Sequence, residues 1–534
     1  MLSTFADILR QPDRGFVELE GGWFPLEYTG GSWTREGGVS IAFSLDAQKG
    51  ASRVTVAPGP VPIKRIKFRW REAMSGVKRI LRDHWGVATC DLGWMPLIAE
   101  KPLPWYFHTY DGVHTHGYGV KTLCNSFCCW QMDTGGINLH LDIRNGGDGV
   151  LLKEPLIAAV IVSREGTEGE SVYAACQAFC RQMCPEPVLP GRPVYGLNNW
   201  YYAYGNITAA SIRADADLAA ELAGDTPYPP YMVIDDGWQP VKTQGPFDRS
   251  NMFLDDMAET ADMIASKGCI PGLWIRPLMT SERVPDDWLH PYTNAPNTLA
   301  NRILDPSHPE ALEYIANTVR RIESWGFRFI KYDFTCPDYM GMKSFLNSRL
   351  TEEGWHLSDR SRTNAQILMS LYRTIRAAAP QSILEGCNTY NHLTAGINHL
   401  QRSGVDTSGR SWDITRTAGV NTLAFRLPQN KNFFLVDPDC PAFTEKVPSE
   451  MNLLFMELAA MSGAVLMASI TPGLLDREQK RRARAAFQAA ASGGSMEPLD
   501  WMDTLCPARY RYDGDGREHV FDWYTPTDGA GLSE

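Results

Sequence analysis

From Val194 onward, short apolar runs alternate with longer stretches that have helical periodicity. This alternation is typical of βα units, in which each helix returns the chain to the start of the next parallel strand. Parallel strands of this kind are buried on both faces, so they appear in a sequence as short, nearly continuous apolar runs. We therefore expect the second half of the chain to form a parallel sheet covered by helices.

Eight strands are predicted in this region. They begin near Tyr195, Tyr231, Ile270, Phe329, Ile383, His399, Phe433 and Val465. Helices are expected between them, for example over residues 309–325 and 365–378. Eight βα repeats over roughly 290 residues match the usual span of a (β/α)8 barrel. The sequence therefore predicts a (β/α)8 TIM barrel as a catalytic domain over residues 186–495.

The segments on either side of the predicted barrel have the pattern of antiparallel strands. Up to residue 185, short runs such as 39–45 and 155–162 are separated by glycine-rich turns, which predicts an N-terminal antiparallel β-sandwich over residues 1–185. Near the C-terminus, two short runs flank Asp513-Gly514, a dipeptide that favours a hairpin turn. A short β element is predicted over residues 496–534.

Length, charge and hydropathy exclude several classes of protein. A chain of 534 residues is long enough for two or three domains. Its formal net charge of −11 and the lack of a long basic run argue against nucleic-acid binding. The chain shows no secretory signal and no apolar stretch of membrane-spanning length. We expect a cytoplasmic protein without a membrane partner, and the sequence leaves homo-oligomer formation open.

Cysteine and histidine are the residues to inspect for a metal site. The 12 cysteines are scattered, which favours free thiols over a disulfide framework. Cys176, Cys180 and Cys184 recur every four residues on one predicted helix face, and His114 and His116 share one side of a strand. Neither group shows the further ligands that a zinc site needs. We predict apolar packing for the cysteines and no bound metal.

Acidic residues follow four of the predicted barrel strands. They are Asp235 and Asp236 after the second strand, Asp333 after the fourth, Asp406 after the sixth, and Asp437 and Asp439 after the seventh. In a (β/α)8 barrel the carboxyl ends of the strands meet on one face, and that face carries the catalytic residues of barrel enzymes. The sequence therefore predicts an active site there.

Two strand-end carboxyl groups are sufficient for glycoside hydrolysis. One attacks the anomeric carbon, and the other protonates the leaving oxygen and later activates water. Asp333 and Asp406 fit these roles because their strands could face each other across the barrel mouth. Lys331 and Arg402 lie on the same strand faces as the two acids and would stabilise their charge, although either cation could instead be a structural ion-pair partner. Sequence does not give the carboxyl separation that distinguishes retention from inversion.

Other polar and aromatic residues near the strand ends suit a sugar. Asp235 and Asp236 can accept hydrogen bonds from hydroxyl groups. Trp200, Trp238 and Trp274 can stack on the C–H face of a sugar ring, and the alternative for each is packing in the core.

Several segments resemble the melibiase-type α-galactosidases of glycoside hydrolase family 36, in clan D. They are Asn198-Asn199-Trp200-Tyr201-Tyr202, Val233-Ile234-Asp235-Asp236-Gly237-Trp238-Gln239, Gly272-Leu273-Trp274, Lys331-Tyr332-Asp333-Phe334, Glu385-Gly386-Cys387-Asn388 and Arg402-Ser403-Gly404-Val405-Asp406-Thr407 in the predicted barrel, with residues 116–122 and 129–131 before it. The resemblance implies a retaining, exo-acting α-galactosidase in which Asp333 is the nucleophile and Asp406 the acid/base.

The same resemblance implies the roles of the surrounding residues. Asp235 and Asp236 would hold the O4 and O6 hydroxyls of a terminal galactose. The side chains implied to line this subsite are Lys331, Arg402, Cys387 and Trp274. The expected partner is an α-linked oligosaccharide, and no cofactor is expected because side chains fill both catalytic roles. The Ser403-Gly404-Val405 segment departs from the family's more usual pattern, which leaves the choice of substrate open.

Two alternatives to this function stay open. The first is a related α-glycosidase or transglycosidase with another specificity, such as α-N-acetylgalactosaminides, arabinopyranosides or raffinose-type transfer. The second is a carbohydrate-binding homologue that has lost catalysis. A protein of the second kind should lack one of the two carboxyl groups, and this chain keeps both Asp333 and Asp406.

Overall fold

The computed structural model describes residues 4–99, 101–291, 302–341 and 350–525. Its N-terminal part is one antiparallel sheet of 14 strands. The strands are Arg14–Leu19, Gly22–Thr29, Ser32–Arg35, Val39–Asp46, Ala51–Val56, Arg65–Arg71, Arg79–Arg82, Trp94–Met95, Leu103–Pro104, Tyr106–Tyr110, Thr115–Val120, Phe127–Asp133, Gly136–Asp142 and Leu156–Arg164. The prediction of antiparallel strands in this region is confirmed.

The large sheet bends so that its two ends contact each other. In the strand Arg65–Arg71, buried residues alternate with more exposed ones, because successive side chains of a strand point to opposite faces. Phe107 and Trp130 lie on strands near opposite ends of the sheet order, yet their ring centroids are 6.1 Å apart. The buried faces of the two ends therefore share one aromatic core.

The second sheet has nine strands, all parallel. The strands are Tyr195–Asn198, Tyr231–Ile234, Ile270–Ile275, Phe329–Tyr332, Ile383–Gly386, Leu400–Arg402, Leu435–Asp437, Ala442–Phe443 and Leu466–Ile470. All eight predicted strands are present, and Ala442–Phe443 is an additional short one. The backbone N–H of Val465 donates to the carbonyl of Val436 at 2.9 Å. Because these residues lie near opposite ends of the strand order, the sheet is strongly curled.

Helices alternate with these strands. The α-helices are Val172–Met183, Trp200–Ala203, Ala209–Ala223, Met257–Ser266, Pro309–Ser324, Thr335–Met340, Asn364–Ala378, Asn391–Thr394, Trp412–Thr415, Thr422–Arg426, Ser449–Met461 and Arg477–Ser492. Two 3₁₀ turns cover Asp286–Trp288 and Leu427–Gln429, and a π-helical segment covers Arg416–Asn421. Both helices named from the sequence are confirmed to within one residue.

The remaining strands form two small sheets. Met279–Thr280 pairs with Arg302–Ile303. Met496–Pro498, Arg509–Tyr512 and Glu518–Val520 form a three-stranded antiparallel sheet. The last two strands are the hairpin predicted around Asp513-Gly514, and Tyr510 is buried beneath it. The predicted short C-terminal β element is therefore present.

The cysteines of the first helix lie in the core. Cys176 and Cys180 are fully buried and Cys184 nearly so, so the apolar packing predicted for them is confirmed. Within the described ranges, no group of three or more His, Cys, Asp or Glu side chains is arranged to hold a metal ion. No helix in those same ranges is both long and apolar enough to cross a membrane.

Asp215, on the helix Ala209–Ala223, gives a pH-dependent prediction. Its carboxyl group is buried and accepts a hydrogen bond from the Tyr202 hydroxyl. Burial raises the pKa of Asp215 to about 7, whereas an unfolded Asp titrates near 3.9. Between about pH 4 and pH 7 the folded state keeps a proton that the unfolded state loses, so this group's contribution to stability falls as the pH rises.

We expect Asp215→Asn to remove that dependence. The free energy of unfolding of the variant relative to wild type should increase by an amount on the order of 3 kcal/mol between pH 5 and pH 8. Urea unfolding at both pH values measures it. Asp217→Asn, at an exposed position of the same helix, is the control and should change stability by less than about 0.5 kcal/mol at either pH. An equal effect of Asp215→Asn at both pH values would contradict the assignment.

Candidate active site

Asp333 lies where the buried strand Phe329–Tyr332 ends. Its backbone N–H donates to the Ile275 carbonyl at 3.0 Å, which continues the pairing with the neighbouring strand. The carboxylate accepts hydrogen bonds from Trp274 Nε1 at 3.1 Å, from Asn388 Nδ2 at 2.7 Å and from the Phe334 backbone N–H at 2.6 Å. Three donors therefore fix the carboxylate of a residue that is only 7% exposed.

The three predicted tryptophans lie in different environments. Trp274 carries the N–H that contacts Asp333. Trp238 is completely buried, donates to the Trp274 carbonyl at 2.8 Å and packs against Phe247. In this conformation no face of Trp238 is open to a ligand. Trp238 therefore packs in the core, the alternative to sugar stacking, and its hydrogen bond helps to hold Trp274 in place. Trp200 is partly exposed, and the Lys242 ammonium lies 5.3 Å from its ring centroid.

Lys331 forms an ion pair with Asp235. Its Nζ donates to Asp235 Oδ2 at 2.8 Å, and Asn198 Nδ2 donates to the same oxygen at 2.7 Å. Burial lowers the pKa of Lys331, but the Asp235 charge together with the smaller effects of Cys387 and Glu385 outweighs burial, and the net pKa lies well above its ordinary value. The sequence predicted that the charge of Lys331 acts on Asp333. The structure instead gives Lys331 a direct hydrogen bond to Asp235.

Asp236 is buried and held by the loop that follows it. It accepts hydrogen bonds from Gln239 Nε2 at 2.6 Å, from the Thr243 backbone N–H at 2.8 Å and from Thr243 Oγ1 at 2.7 Å. Asp235 also accepts three, the third from the Asp236 backbone N–H at 2.9 Å. A carboxylate offers about four acceptor positions. Each of the two acids therefore keeps capacity for about one further donor, such as a hydroxyl group.

Arg402 connects the acids of the sixth and seventh parallel strands. It is buried and donates through Nη2 to Asp439 at 2.6 Å and to Asp406 at 3.2 Å. Its Nη1 lies 3.6 Å from the Cys387 sulfur. Burial lowers the pKa of Arg402, but the charge of Asp439 and the smaller effects of its other acidic neighbours together outweigh burial, so the net pKa is raised and the guanidinium is charged. The Asp406 side chain is 59% exposed, which leaves its carboxyl group accessible from the solvent side.

Cys387 lies between the two candidate catalytic acids. Asn388, the next residue, holds Asp333, and Arg402 contacts both Cys387 and Asp406. Burial and the Asp333 charge raise the pKa of the Cys387 thiol well above its ordinary value, so it is neutral. These contacts join Asp333 and Asp406 into one cluster at the carboxyl ends of the fourth, fifth and sixth parallel strands. A carboxylate held by donors and a second, accessible carboxyl group can perform nucleophilic and acid/base chemistry.

A buried carboxyl pair lies beneath this cluster. Glu385 lies in the fifth parallel strand and Asp437 ends the seventh, with the sixth strand between them, and both residues are buried. Burial and the nearby Asp437 raise the pKa of Glu385 well above its ordinary value.

Sequence reasoning assigned no role to several residues that position the acids. Asn388 holds Asp333, Asn198 holds Asp235, and Asn199 Oδ1 accepts the Asp235 backbone N–H at 2.9 Å. Asp439, noted only as a strand-end acid, accepts hydrogen bonds from Arg402 and from the Tyr201 hydroxyl. Their position in the sequence could have identified these residues, since all of them stand at strand ends beside the predicted acids.

No protein-family model and no curated protein matches the chain. Solved structures do match. An α-galactosidase of Thermus thermophilus in complex with p-nitrophenyl α-D-galactopyranoside is 19% identical, with a TM-score of 0.61, over 95% of this chain and 99% of that chain. A family 36 α-galactosidase of Geobacillus stearothermophilus in complex with 1-deoxygalactonojirimycin is 14% identical, with a TM-score of 0.59, over 94% of this chain and 79% of that chain.

An α-galactosidase of Lactobacillus brevis is 11% identical, with a TM-score of 0.61, over 92% of this chain and 75% of that chain. Each alignment spans both the N-terminal antiparallel sheet and the parallel sheet, because each covers more than nine-tenths of the chain. The chain therefore has the fold of the α-galactosidases of glycoside hydrolase family 36.

Proposed function

We propose that the protein is a retaining, exo-acting α-galactosidase that removes terminal α-linked galactose from oligosaccharides. The observation that carries this proposal is the Asp333 carboxylate, fixed by three hydrogen-bond donors at a strand end and connected through Cys387 and Arg402 to the accessible Asp406. The likeness to α-galactosidases solved with an α-galactoside and with stachyose supports it.

The proposed reaction has two steps. In the first, an Asp333 oxygen bonds to the anomeric carbon as the glycosidic C–O bond breaks, and Asp406 gives its proton to the leaving oxygen. In the second, Asp406 takes a proton from water, the water oxygen attacks the anomeric carbon, and the bond to Asp333 breaks. Two inversions at one carbon return the α anomer of galactose.

The proposed galactose site uses the remaining acceptor capacity of Asp235 and Asp236 for two sugar hydroxyls. Lys331 donates to Asp235 at 2.8 Å, and a hydroxyl group forms a stronger hydrogen bond with a carboxylate than with a neutral acceptor. Trp274 and Cys387 would line the same subsite, and partly exposed Trp200 would contact the sugar nearer the surface.

We propose that the eight longer parallel strands close into a (β/α)8 barrel, which the hydrogen bond from Val465 to Val436 supports. The contact between the two ends of the N-terminal sheet supports a β-sandwich. The proposed domains are residues 1–185, 186–495 and 496–534. We also propose a cytoplasmic location, since the cysteines are free thiols, as in proteins of reducing compartments.

The test is hydrolysis of p-nitrophenyl α-D-galactopyranoside by purified protein, with the first-formed sugar anomer followed by NMR. We expect nitrophenol release and α-galactose as the first product. β-Galactose as the first product would show inversion and contradict the double displacement. If folded protein releases no nitrophenol, the galactoside assignment is wrong, and α-N-acetylgalactosaminide and arabinopyranoside substrates would identify a changed specificity.

A further inference from the structure

The chain between the strands Arg79–Arg82 and Trp94–Met95 leaves the N-terminal sheet and reaches the parallel sheet. Ala88, which is fully buried, forms a parallel bridge with Gly404. The Ala88 backbone N–H donates to the Ser403 carbonyl at 2.9 Å, and the Val405 N–H donates to the Ala88 carbonyl at 3.0 Å. Ala88 therefore pairs with the backbone that lies between Arg402 and Asp406.

A buried ion pair fixes this segment. Arg426 donates to Asp83 Oδ1 through Nε at 3.0 Å and through Nη2 at 2.6 Å. The same guanidinium donates through Nη1 to the Ser403 carbonyl at 2.7 Å and through Nη2 to the Gly86 carbonyl at 2.6 Å. One cation thus binds the N-terminal segment and the strand end before Asp406 at the same time.

The other acceptor positions of Asp83 are also filled. They receive Asn391 Nδ2 at 3.1 Å, Gln429 Nε2 at 2.8 Å and the His84 backbone N–H at 2.8 Å. Burial raises the pKa of Asp83, but the Arg426 charge together with the hydrogen bonds from the His84 N–H and Arg426 outweighs burial, and the net pKa is lowered. A fully bonded, buried and charged pair has little freedom to move, so it can hold the segment in one position.

The segment also fits closely against the loop that holds Asp333. A Cβ atom at Gly86 would lie 2.5 Å from the Thr389 carbonyl oxygen, so no larger residue fits there without a shift. Thr389 follows Asn388 in the chain, and Asn388 donates to Asp333. The 83–88 segment therefore contacts the backbone that precedes Asp406 and the residue that follows Asn388, the donor to Asp333.

The Asp406 side chain depends on this backbone for its direction. It is 59% exposed and accepts a hydrogen bond of 3.2 Å from Arg402. Asp333, by contrast, is held by three donors at 2.6 to 3.1 Å. A displacement of residues 403–405 would move Asp406 more than it would move Asp333.

We propose that Asp83 and Arg426 are positioning residues that clamp the 83–88 segment onto Ser403, Gly404 and Val405 and so aim Asp406 at the leaving oxygen. The inference rests on the proposed function, because it assigns a purpose to the position of Asp406. A buried ion pair can also be merely structural, so the test must separate loss of proton donation from loss of fold.

Two substrates with different leaving groups separate loss of proton donation from loss of fold. Melibiose needs a proton on its leaving oxygen, whereas fluoride leaves from α-galactosyl fluoride without one. We expect Asp83→Asn to lower kcat/KM for melibiose by about 10- to 100-fold, part of the roughly 100- to 10,000-fold that acid/base catalysis contributes. For α-galactosyl fluoride, kcat/KM should fall by less than about 3-fold. With this substrate kcat/KM reports the attack by Asp333, which needs no proton from Asp406. Equal losses on both substrates would overturn the proposal.

Two further variants guard against a general loss of structure. Ala88→Gly keeps the backbone hydrogen bonds of the segment but loosens its backbone and removes one buried methyl group, so a smaller loss confined to melibiose is expected. Asp142→Asn disrupts another buried acid–arginine pair, with Arg144, and is the matched control. It should lower the melting temperature but leave the ratio of the two kcat/KM values unchanged, and a changed ratio in this control would also overturn the proposal.

Hydrogen exchange tests the clamp independently of activity. In Asp83→Asn, the Val405 amide should exchange at least about 10-fold faster than in wild type, while amides of Phe329–Tyr332 keep their rates. Unchanged exchange at Val405 would overturn the clamp. If wild type hydrolyses neither substrate, the proposed function fails, and faster exchange at Val405 would still support the clamp on the Asp406 segment.

Discussion

Asp333→Ala is expected to lower kcat for p-nitrophenyl α-D-galactopyranoside by at least about 10,000-fold, the scale seen when a catalytic nucleophile is removed. The reason is that no other described side chain takes the place of this carboxylate, which Trp274, Asn388 and the Phe334 N–H hold in position. Steady-state release of nitrophenol measures the loss. Circular dichroism and the melting temperature should stay close to wild type, which separates lost chemistry from lost fold.

Azide rescue tests whether Asp333 is the nucleophile. With the Asp333 carboxyl group gone, azide can attack the anomeric carbon from the vacated side in a single step, so the product should be β-galactosyl azide. NMR of the product determines its configuration. Azide rescue that gives the α product would assign the acid/base role to Asp333 and reverse the two roles. Activity retained by Asp333→Ala would exclude it from catalysis.

Asp406→Ala has the second largest expected effect. Loss of the proton donor should lower kcat/KM for melibiose by about 100- to 10,000-fold. The loss should be much smaller for α-galactosyl fluoride, whose leaving group needs no proton. Azide should accelerate turnover of the fluoride and give α-galactosyl azide, because it replaces water in the second step without needing a base. Parallel kinetics on the two substrates measure the difference.

Asp439→Asn is the matched variant for Asp406→Ala. Asp439 also contacts Arg402, but it is buried and accepts further hydrogen bonds from Tyr201 and the Thr407 N–H. We therefore expect it to orient Arg402, so that its substitution lowers kcat/KM for both substrates alike. A loss confined to melibiose in Asp439→Asn, together with normal activity of Asp406→Ala, would move the acid/base role to Asp439.

The positions of the strands and of the acids could be predicted from sequence alone. The eight predicted strand starts lie within two residues of those observed, because apolar runs and helical periodicity reflect local backbone geometry. Asp235, Asp236, Asp333 and Asp406 follow those strands, so the common end of a parallel sheet was enough to expect them together. The hairpin around Asp513-Gly514 could be predicted for the same reason, because its two strands are close together in the sequence.

Only the tertiary structure decided which side chains meet. The sequence placed Lys331 beside Asp333, but in the folded sheet Lys331 reaches Asp235, across the strand that lies between them. Trp238 was a candidate sugar contact until packing against Phe247 placed it in the core. Asp83 and Arg426 are 343 residues apart in the chain. No periodicity encodes such a contact, because it depends on how the N-terminal sheet packs against the parallel one.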